Sequence, residues 1–247
     1  MEPSIVSSSG SLIPLDLPTD HGIPELLVRW LGLRTAEAYY LTLPTAAGLA
    51  ACAEKILTDR GFDLSVIRAA AACIPQHGPL LVTSNHPTGI LDGVLLLAAL
   101  LSRRSDIRVV ANEALCRIPV LADRVISINK SSSEHRQNQN ALMAIRSAWK
   151  RQECIIVFPA GTVAHWQWRQ MRIADAPWTD GIQRFAGKLG VIEYRATIRL
   201  INPLWFHGCA AISRKARTAL LLRAFIAYSG KTSSNPVEFE MLDSSTN

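Results

Sequence analysis

The stretch LLVTSNHPTGILDGVLLL, residues 80–97, decides how the chain is read. PLLVTS is a short apolar run ending in β-branched and small polar residues, and ILDGVLLLAALLSRR is a longer run with helical character. Between them stand Asn85, His86, Pro87, Thr88 and Gly89. Proline fixes φ and glycine frees it, so these residues turn a strand into a helix. Ligands of open α/β sheets sit in such loops, at the carboxyl ends of strands. That places His86 at a binding position. Asp92 follows six residues later, and on a continuous helix that separation is about 600° of rotation, which would point the two side chains apart. A turn at Pro87–Gly89 removes the objection: His86 is expected ahead of the helix, folded back on Asp92 in its first turn. A carboxylate there orients the ring, fixes its tautomer and stabilises the imidazolium. The helix N-terminus acts in the opposite sense and keeps the neutral base available near pH 7. A histidine satisfied inside a packed core is the competing reading, and the default for any isolated His.

Outward from that stretch, residues 22–75 read as helical (IPELLVRWLGL, TAEAYYLTL, PTAAGLAACAEKILTDRG), and CIPQHG breaks the pattern. Strands and helices then alternate. IRVVA is a strand followed by a brief helix through NEALCR, and RVISIN is a strand followed by a helix from Glu134 to Arg151. CIIVFPA is a strand, Gly181 to Leu189 a helix, and ATIRLINPLWF a strand. Short runs of this kind suggest strands buried on both faces, in a three-layer α/β domain with a mostly buried mixed sheet flanked by helices. SRKARTALLLRAFIAY closes the fold as a basic amphipathic helix. The expected organisation is a leader over 1–21, a helical segment over 22–75, the main domain over 76–228 and a polar tail over 229–247.

Composition narrows the function classes. The five cysteines are scattered without a Cys-x-x-Cys pair, so a structural metal, a redox pair and bound cofactors are not expected, and the thiols read as buried ones in a reducing compartment. The first twenty residues lack a basic and an apolar region, and no apolar stretch approaches the ~18–20 residues of a membrane span. A cytoplasmic location is expected. The net charge of +6 is uneven: Arg195, Arg199, Arg214, Lys215, Arg217, Arg223 and Lys231 follow one another without an intervening acid. Such a face attracts phosphate, on nucleic acid or anionic lipid, unless it is only a solvated surface. Helix-turn-helix, zinc-finger and RNP-like signatures are absent from the sequence, so no nucleic-acid partner is expected. Trp166, Trp168 and Trp178 lie near Arg169 and Arg172 in HWQWRQMRIADAPW, a composition that suits a lipid–water interface and equally suits buried packing.

Four blocks in order carry a resemblance. NHPTGILDG resembles the Asn-His-…-Asp motif of the glycerolipid acyltransferases of the lysophosphatidic acid acyltransferase type. ANEALCRIPVLADRVISINK resembles their second block, IIVFPAGTVAHW their third, and GIQRFAGKLGV with INPLWFHG their closing block. The His-x5-Asp spacing, one residue longer than usual, is similar to a bacterial hemolysin-like and ornithine-lipid acyltransferase branch. Ala176-Pro177-Trp178 and Arg217 to Leu221 resemble further blocks of that branch. The resemblance implies a thioester donor, acyl-CoA or acyl carrier protein, and a lysolipid hydroxyl or amine as acceptor. It implies His86 as general base and Asp92 as its partner. Asn85, Thr88, Gly89, Asn112, Arg117, Lys130, Phe158, Pro159, Gly161 and Thr162 are the implied substrate-binding positions, the turn at Phe158–Thr162 offering backbone N–H groups to a phosphate or oxyanion. It also implies a peripheral enzyme on an anionic membrane surface, at the inner face. Two departures weaken the assignment of the acceptor. The third block's usual glutamate is Ala160, and the branch's alternative position is Thr162; the second block's arginine is Lys130. A catalytically silent lipid-binding relative and an acyl thioesterase are the competing readings.

Overall fold

The computed structural model describes residues 29–128, 135–210, 214–228 and 235–242. The leader over 1–21 and the start of the helical segment fall outside them. The chain begins with α1 (Leu33–Leu41), α2 (Leu49–Asp59) and α3 (Leu64–Ala70), then enters β1 (Leu80–Ser84), α4 (Ile90–Leu101) and β2 (Ile107–Ala111). β3 (Val125–Ser127), α5 (His135–Lys150) and β4 (Cys154–Val157) follow, then a hairpin of β5 (His165–Gln167) and β6 (Arg172–Ala174). The chain closes with α6 (Gly181–Lys188), β7 (Ile192–Ile198), α7 (Leu204–Ala210), α8 (Arg214–Ala227) and β8 (Val237–Leu242).

The main sheet has the order β3-β2-β4-β1-β7-β8. All its pairs are parallel except β7 with β8. β1 and β4 are buried along their whole length, as strands covered on both faces must be. Their side chains alternate between two cores. Leu80, Val82, Cys154 and Ile156 pack with α4 and α2; Leu81, Ile155 and Val157 pack with Ile145, Ala148 and Trp149 of α5. The result is the three-layer mixed α/β architecture with an N-terminal helical segment.

The neighbours β1 and β4 send their following connections in opposite directions along the sheet, β1 through α4 to β2 and β4 through α6 to β7. Right-handed crossovers then put the two connections on opposite faces, which opens a crevice between the loops after β1 and β4. His86 stands in the first of those loops and Phe158 begins the second.

Three expectations need correction. Residues 237–242 are not part of a polar tail: β8 pairs antiparallel with β7 from Ile198↔Val237 to Glu193↔Leu242. Its alternation of Val, Phe and Met with Glu is the pattern of an edge strand with one wet face, short enough to be taken for tail. ATIRLINPLWF is not one strand either, since β7 ends at Ile198 and Leu204 opens α7. The thiols are not uniformly buried: Cys52 and Cys154 are, and Cys73 is exposed.

α8 docks on the body. Leu222 and Phe225 enter the core formed with α4, while Leu220 and Ala224 join Leu31, Val163 and Phe206. Arg60 fastens it from α2's end: the buried guanidinium lies 4.0 Å over the Phe225 ring and donates to the Phe225 and Ile56 carbonyls and to Tyr39 Oη. A cation so far from water is tolerable because its donors are satisfied and its faces rest on rings.

Candidate active site

The loop between β1 and α4 is fixed atom by atom. Asn85 clasps the end of β7, its amide donating to the Ile198 carbonyl at 2.9 Å and accepting from the Ile198 N–H at 2.7 Å. The His86 N–H donates to both oxygens of Asp175, at 3.1 and 3.2 Å, and the His86 carbonyl accepts from Ala164 N–H at 2.8 Å. The Pro87 carbonyl accepts from the buried Asn202 amide at 3.2 Å. The Thr88 and Gly89 N–H groups both donate to Asp92 Oδ2 at 2.8 Å, and the Thr88 hydroxyl donates to Asp92 Oδ1. A loop held by so many hydrogen bonds has little freedom left to move.

Asp92 is fully buried in the first turn of α4, where its side chain accepts from these three donors. His86 Nδ1 lies 3.0 Å from Asp92 Oδ2, a close contact whose direction falls short of a formed hydrogen bond. The ring stacks on Phe158, with centroids 4.1 Å apart and planes at 29°. Its side chain keeps 18 % exposure, so Nε2 is the nitrogen left for a reactant. Residues 86 and 92 therefore meet as a dyad at the mouth of a loop rather than inside a core.

Gly89 permits the turn. Its φ of 84° and ψ of −106° suit glycine alone, and a Cβ there would stand 2.7 Å from Leu221 Cδ2 and 3.1 Å from Val163 Cγ2. α8 and the loop after β4 thus close on the backbone at the start of α4.

The expected substrate-binding positions divide. Asn85, Thr88 and Gly89 build the loop and hold Asp92. Phe158 touches the His86 ring, and Pro159 O accepts from the Thr179 N–H and hydroxyl. The expectation that the turn from Phe158 presents its N–H groups to an anion is corrected in part. Gly161 N–H donates to the Phe158 carbonyl at 2.8 Å, and Pro159 has no N–H to give. Thr162 accepts a hydrogen bond from Arg217 at 3.1 Å. Asn112 caps the short helix Glu113–Arg117 by accepting from Ala114 N–H; it and Arg117 are exposed beyond the carboxyl end of β2. Lys130 lies outside the described residues.

Asp175 and Asn202 are the residues that sequence reasoning missed. Asp175 accepts from Trp178 Nε1 at 3.1 Å besides the His86 N–H, and burial raises its pKa against both of those bonds. Its place directly before Ala176-Pro177-Trp178 was the available signal. At the start of β5, His165 Nδ1 faces the Val163 carbonyl at 3.1 Å, which makes that nitrogen the protonated one. Burial lowers the pKa of His165 and of His207, the latter almost wholly buried on α7. Groups able to hold a metal are absent among the described residues. A concavity of about 810 Å³ opens at the other end of the sheet, near Arg108 and Arg124. Its arginines are spent on Glu153, Asp123 and backbone carbonyls, so nothing there calls for a ligand.

A buried carboxylate thus stands behind a partly exposed histidine at the switch point of the sheet. Sequence comparisons identify the family. The acyltransferase family profile matches residues 42–208, and the chain belongs to that family. Among characterised relatives it is similar to a lyso-glycine lipid O-acyltransferase of Phocaeicola vulgatus, with 28 % identity over 165 residues. The similarity covers 61 % of this chain and 54 % of the relative, so the chain spans about half the length of the protein it matches.

Proposed function

We propose that the protein transfers a fatty acyl group from a thioester, acyl-CoA or acyl carrier protein, to the hydroxyl of a lysolipid. The observation that carries this reading is the 3.0 Å approach of His86 Nδ1 to the buried Asp92 carboxylate, with the opposite ring nitrogen left outward. Family membership supports the reaction class, and the O-acyltransferase relative favours a hydroxyl over an amine as acceptor.

The acceptor hydroxyl gives its proton to His86 Nε2 as its oxygen attacks the thioester carbonyl. The tetrahedral oxyanion then collapses, expels the thiolate, and the proton passes from Nε2 to sulfur. Asp92 balances the transient imidazolium without itself taking the proton. Such a base contributes ~10²–10⁴-fold, and the remainder comes from holding both substrates in place.

The enzyme works at the inner face of an anionic membrane as a peripheral protein. Among the described residues no helix is long and apolar enough to cross a bilayer. Because α8 spends its apolar side chains on the cores, the lipid-facing surface is a neighbouring aromatic one. Trp168 and Met171 are exposed at the β5–β6 hairpin, and Leu204 and Trp205 on α7, which packs against β5. Arg223 lies 4.6 Å over Trp30 and 5.7 Å from Trp205, and Arg169 and Arg172 flank the hairpin tip. Indoles interleaved with guanidiniums suit the headgroup layer.

The deciding experiment measures thiol release from long-chain acyl-CoA and acyl-carrier-protein thioesters with a panel of lysolipids, for wild type and His86→Ala. Acceptor-dependent release that vanishes in the variant is the expected result. Release independent of acceptor would make the protein a thioesterase. No release, with vesicle binding intact, would make it a silent lipid-binding relative.

A further inference from the structure

The β5–β6 hairpin stands apart from the main sheet, and its two ends close on one residue. Among the described residues β5 and β6 pair only with each other, in the register His165↔Ala174, Trp166↔Ile173 and Gln167↔Arg172. One residue beyond the first of these pairs, the chain reaches Ala164 on one side and Asp175 on the other. Ala164 N–H donates to the His86 carbonyl at 2.8 Å, and the Asp175 carboxylate accepts from the His86 N–H at 3.1 and 3.2 Å. Both backbone polar groups of His86 are therefore held from the base of a single hairpin.

The other end of the hairpin faces outward. Its turn is tight, with Gln170 N–H donating to the Gln167 carbonyl at 3.0 Å and Met171 at a φ of 50°. It presents Trp168 and Met171, 69 % and 67 % exposed. The Trp168 ring meets Trp166 edge to face, with centroids 6.0 Å apart, so the tip leans on a side chain of the stem. Residues 165–174 include Arg169 and Arg172 and no acid. Indoles and guanidiniums without carboxylates match an anionic bilayer, whose phosphates draw the cations and whose interface takes up the rings. A two-stranded hairpin by itself is marginal in water, and strands of three residues are at the short end of the range. Its order depends on what it rests on: α7 beside β5, and at the tip the surface on which Trp168 and Met171 dock.

We infer that the β5–β6 hairpin is a lipid-surface sensor: docking of Trp168 and Met171 on an anionic bilayer orders the hairpin, whose two ends then fix His86 for catalysis. The inference rests on the acyltransferase reading and adds a regulation of the same site by the membrane. Fraying of the hairpin releases Ala164 and Asp175 together, and a base displaced by about 1 Å loses roughly 10²-fold in rate. Contact with lipid thus raises kcat, beyond any gain in local acceptor concentration.

The test follows the two amides that make the bonds. Residue-resolved hydrogen exchange at His86 and Ala164 is measured in wild type without lipid, with phosphatidylcholine vesicles, and with vesicles of equal parts phosphatidylcholine and phosphatidylglycerol. The anionic vesicles are expected to slow both amides by roughly 10-fold or more, and the neutral ones less. Slowing confined to residues 168–171, no slowing, or equal slowing by both vesicle types would overturn the inference. In parallel, acceptor-dependent thiol release from acyl-CoA is titrated with the anionic vesicles for wild type, Leu204→Ser and the double variant Trp168→Ser/Met171→Ser. Leu204 is 80 % exposed on α7, outside the hairpin, so Leu204→Ser weakens the anchor alone and reaches wild-type kcat at higher lipid. The hairpin variant stays about 10- to 100-fold lower in kcat when cosedimentation shows it fully bound. Recovery of wild-type kcat by the bound hairpin variant would make the hairpin an anchor only and overturn the inference, with the acyltransferase reading intact. If wild type transfers nothing, the acyltransferase reading fails, and the exchange at His86 and Ala164 decides the coupling by itself.

Discussion

Gly89→Ala tests how the dyad is assembled. Two costs arise at once. The backbone at φ 84° and ψ −106° is open to glycine only, and forcing an L-residue there costs about 1–3 kcal/mol. The added Cβ would also meet Leu221 at 2.7 Å and Val163 at 3.1 Å. Leu221 can swing its tip, whereas Val163 is stiff at χ1, so overpacking adds a further ~1–3 kcal/mol. A total loss of about 2–6 kcal/mol follows, read by urea unfolding. Leu221→Ala removes the nearer obstacle without touching the dihedral strain. In a double-mutant cycle the pair should therefore recover about 1–2 kcal/mol of coupling and keep the rest. Turnover must drop beyond the loss of folded protein, because the Gly89 N–H is one of the donors holding Asp92. A Gly89→Ala protein as stable and as active as wild type would refute the account of this turn.

The other expectations follow from the same contacts. His86→Ala should abolish acceptor-dependent thiol release while shifting the unfolding midpoint little, since the ring packs mainly on Phe158; Asp92→Asn keeps the shape, removes the charge and should slow turnover about 10²–10⁴-fold in steady-state assays. Asp175→Ala strands the His86 N–H and Trp178 Nε1, so a stability loss of about 1–3 kcal/mol and a reduced kcat are expected, and unaltered kcat in folded protein would deny it a positioning role. Burial holds the His207 pKa below its ordinary 6.5, so the folded state takes the proton less readily than the unfolded chain. Stability is then complete above pH 6.5 and falls as pH drops below it, by up to ~1.4 kcal/mol per unit, until the folded pKa is reached; His207→Phe should flatten that slope in thermal melts, and parallel slopes would disprove the assignment.

What the sequence disclosed was local. The strand-turn-helix of residues 80–101 was legible because periodicity, Pro87 and Gly89 all act within a few residues, and His86 and Asp92 lie inside that window. The resemblance added the order of the blocks. What stayed hidden was long-range: Asn85 bonds across 113 positions to Ile198, Asn202 across 115 to Pro87, and Asp175 across 89 to His86. Nothing in the spacing of such residues distinguishes a clasp from a ligand contact. Asn85 read as a substrate group for that reason. β8 escaped notice because its alternating pattern is only six residues long, and its pairing with β7 is what sets it apart from a tail. The basic run from Arg195 to Lys231 was plain, but its division between Arg217 at the crevice and Arg223 under Trp30 and Trp205 required the fold.

These long-range clasps also predict where catalysis is vulnerable away from the chemistry. Asn85 imitates a strand residue: with one acceptor and one donor it continues the β1–β7 ladder past the register pair Ser84↔Ala196, at the point where β1 must turn away. Asn85→Ala leaves the Ile198 N–H and carbonyl without these partners, at a cost of about 1–3 kcal/mol. It also frees the next residue, His86, from one side of its support. A base displaced by about 1 Å loses roughly 10²-fold in rate even though its own chemistry is intact. Asn85→Ala should therefore lower kcat far more than it changes KM for the acceptor, because the amide holds the loop and not the lipid. Asn85→Asp separates the two roles further: it keeps the acceptor for Ile198 N–H, but sets a carboxylate oxygen against the Ile198 carbonyl. A substrate-binding Asn85 would instead raise KM in both variants with kcat preserved, and steady-state kinetics across a range of acceptor concentrations discriminates the two outcomes.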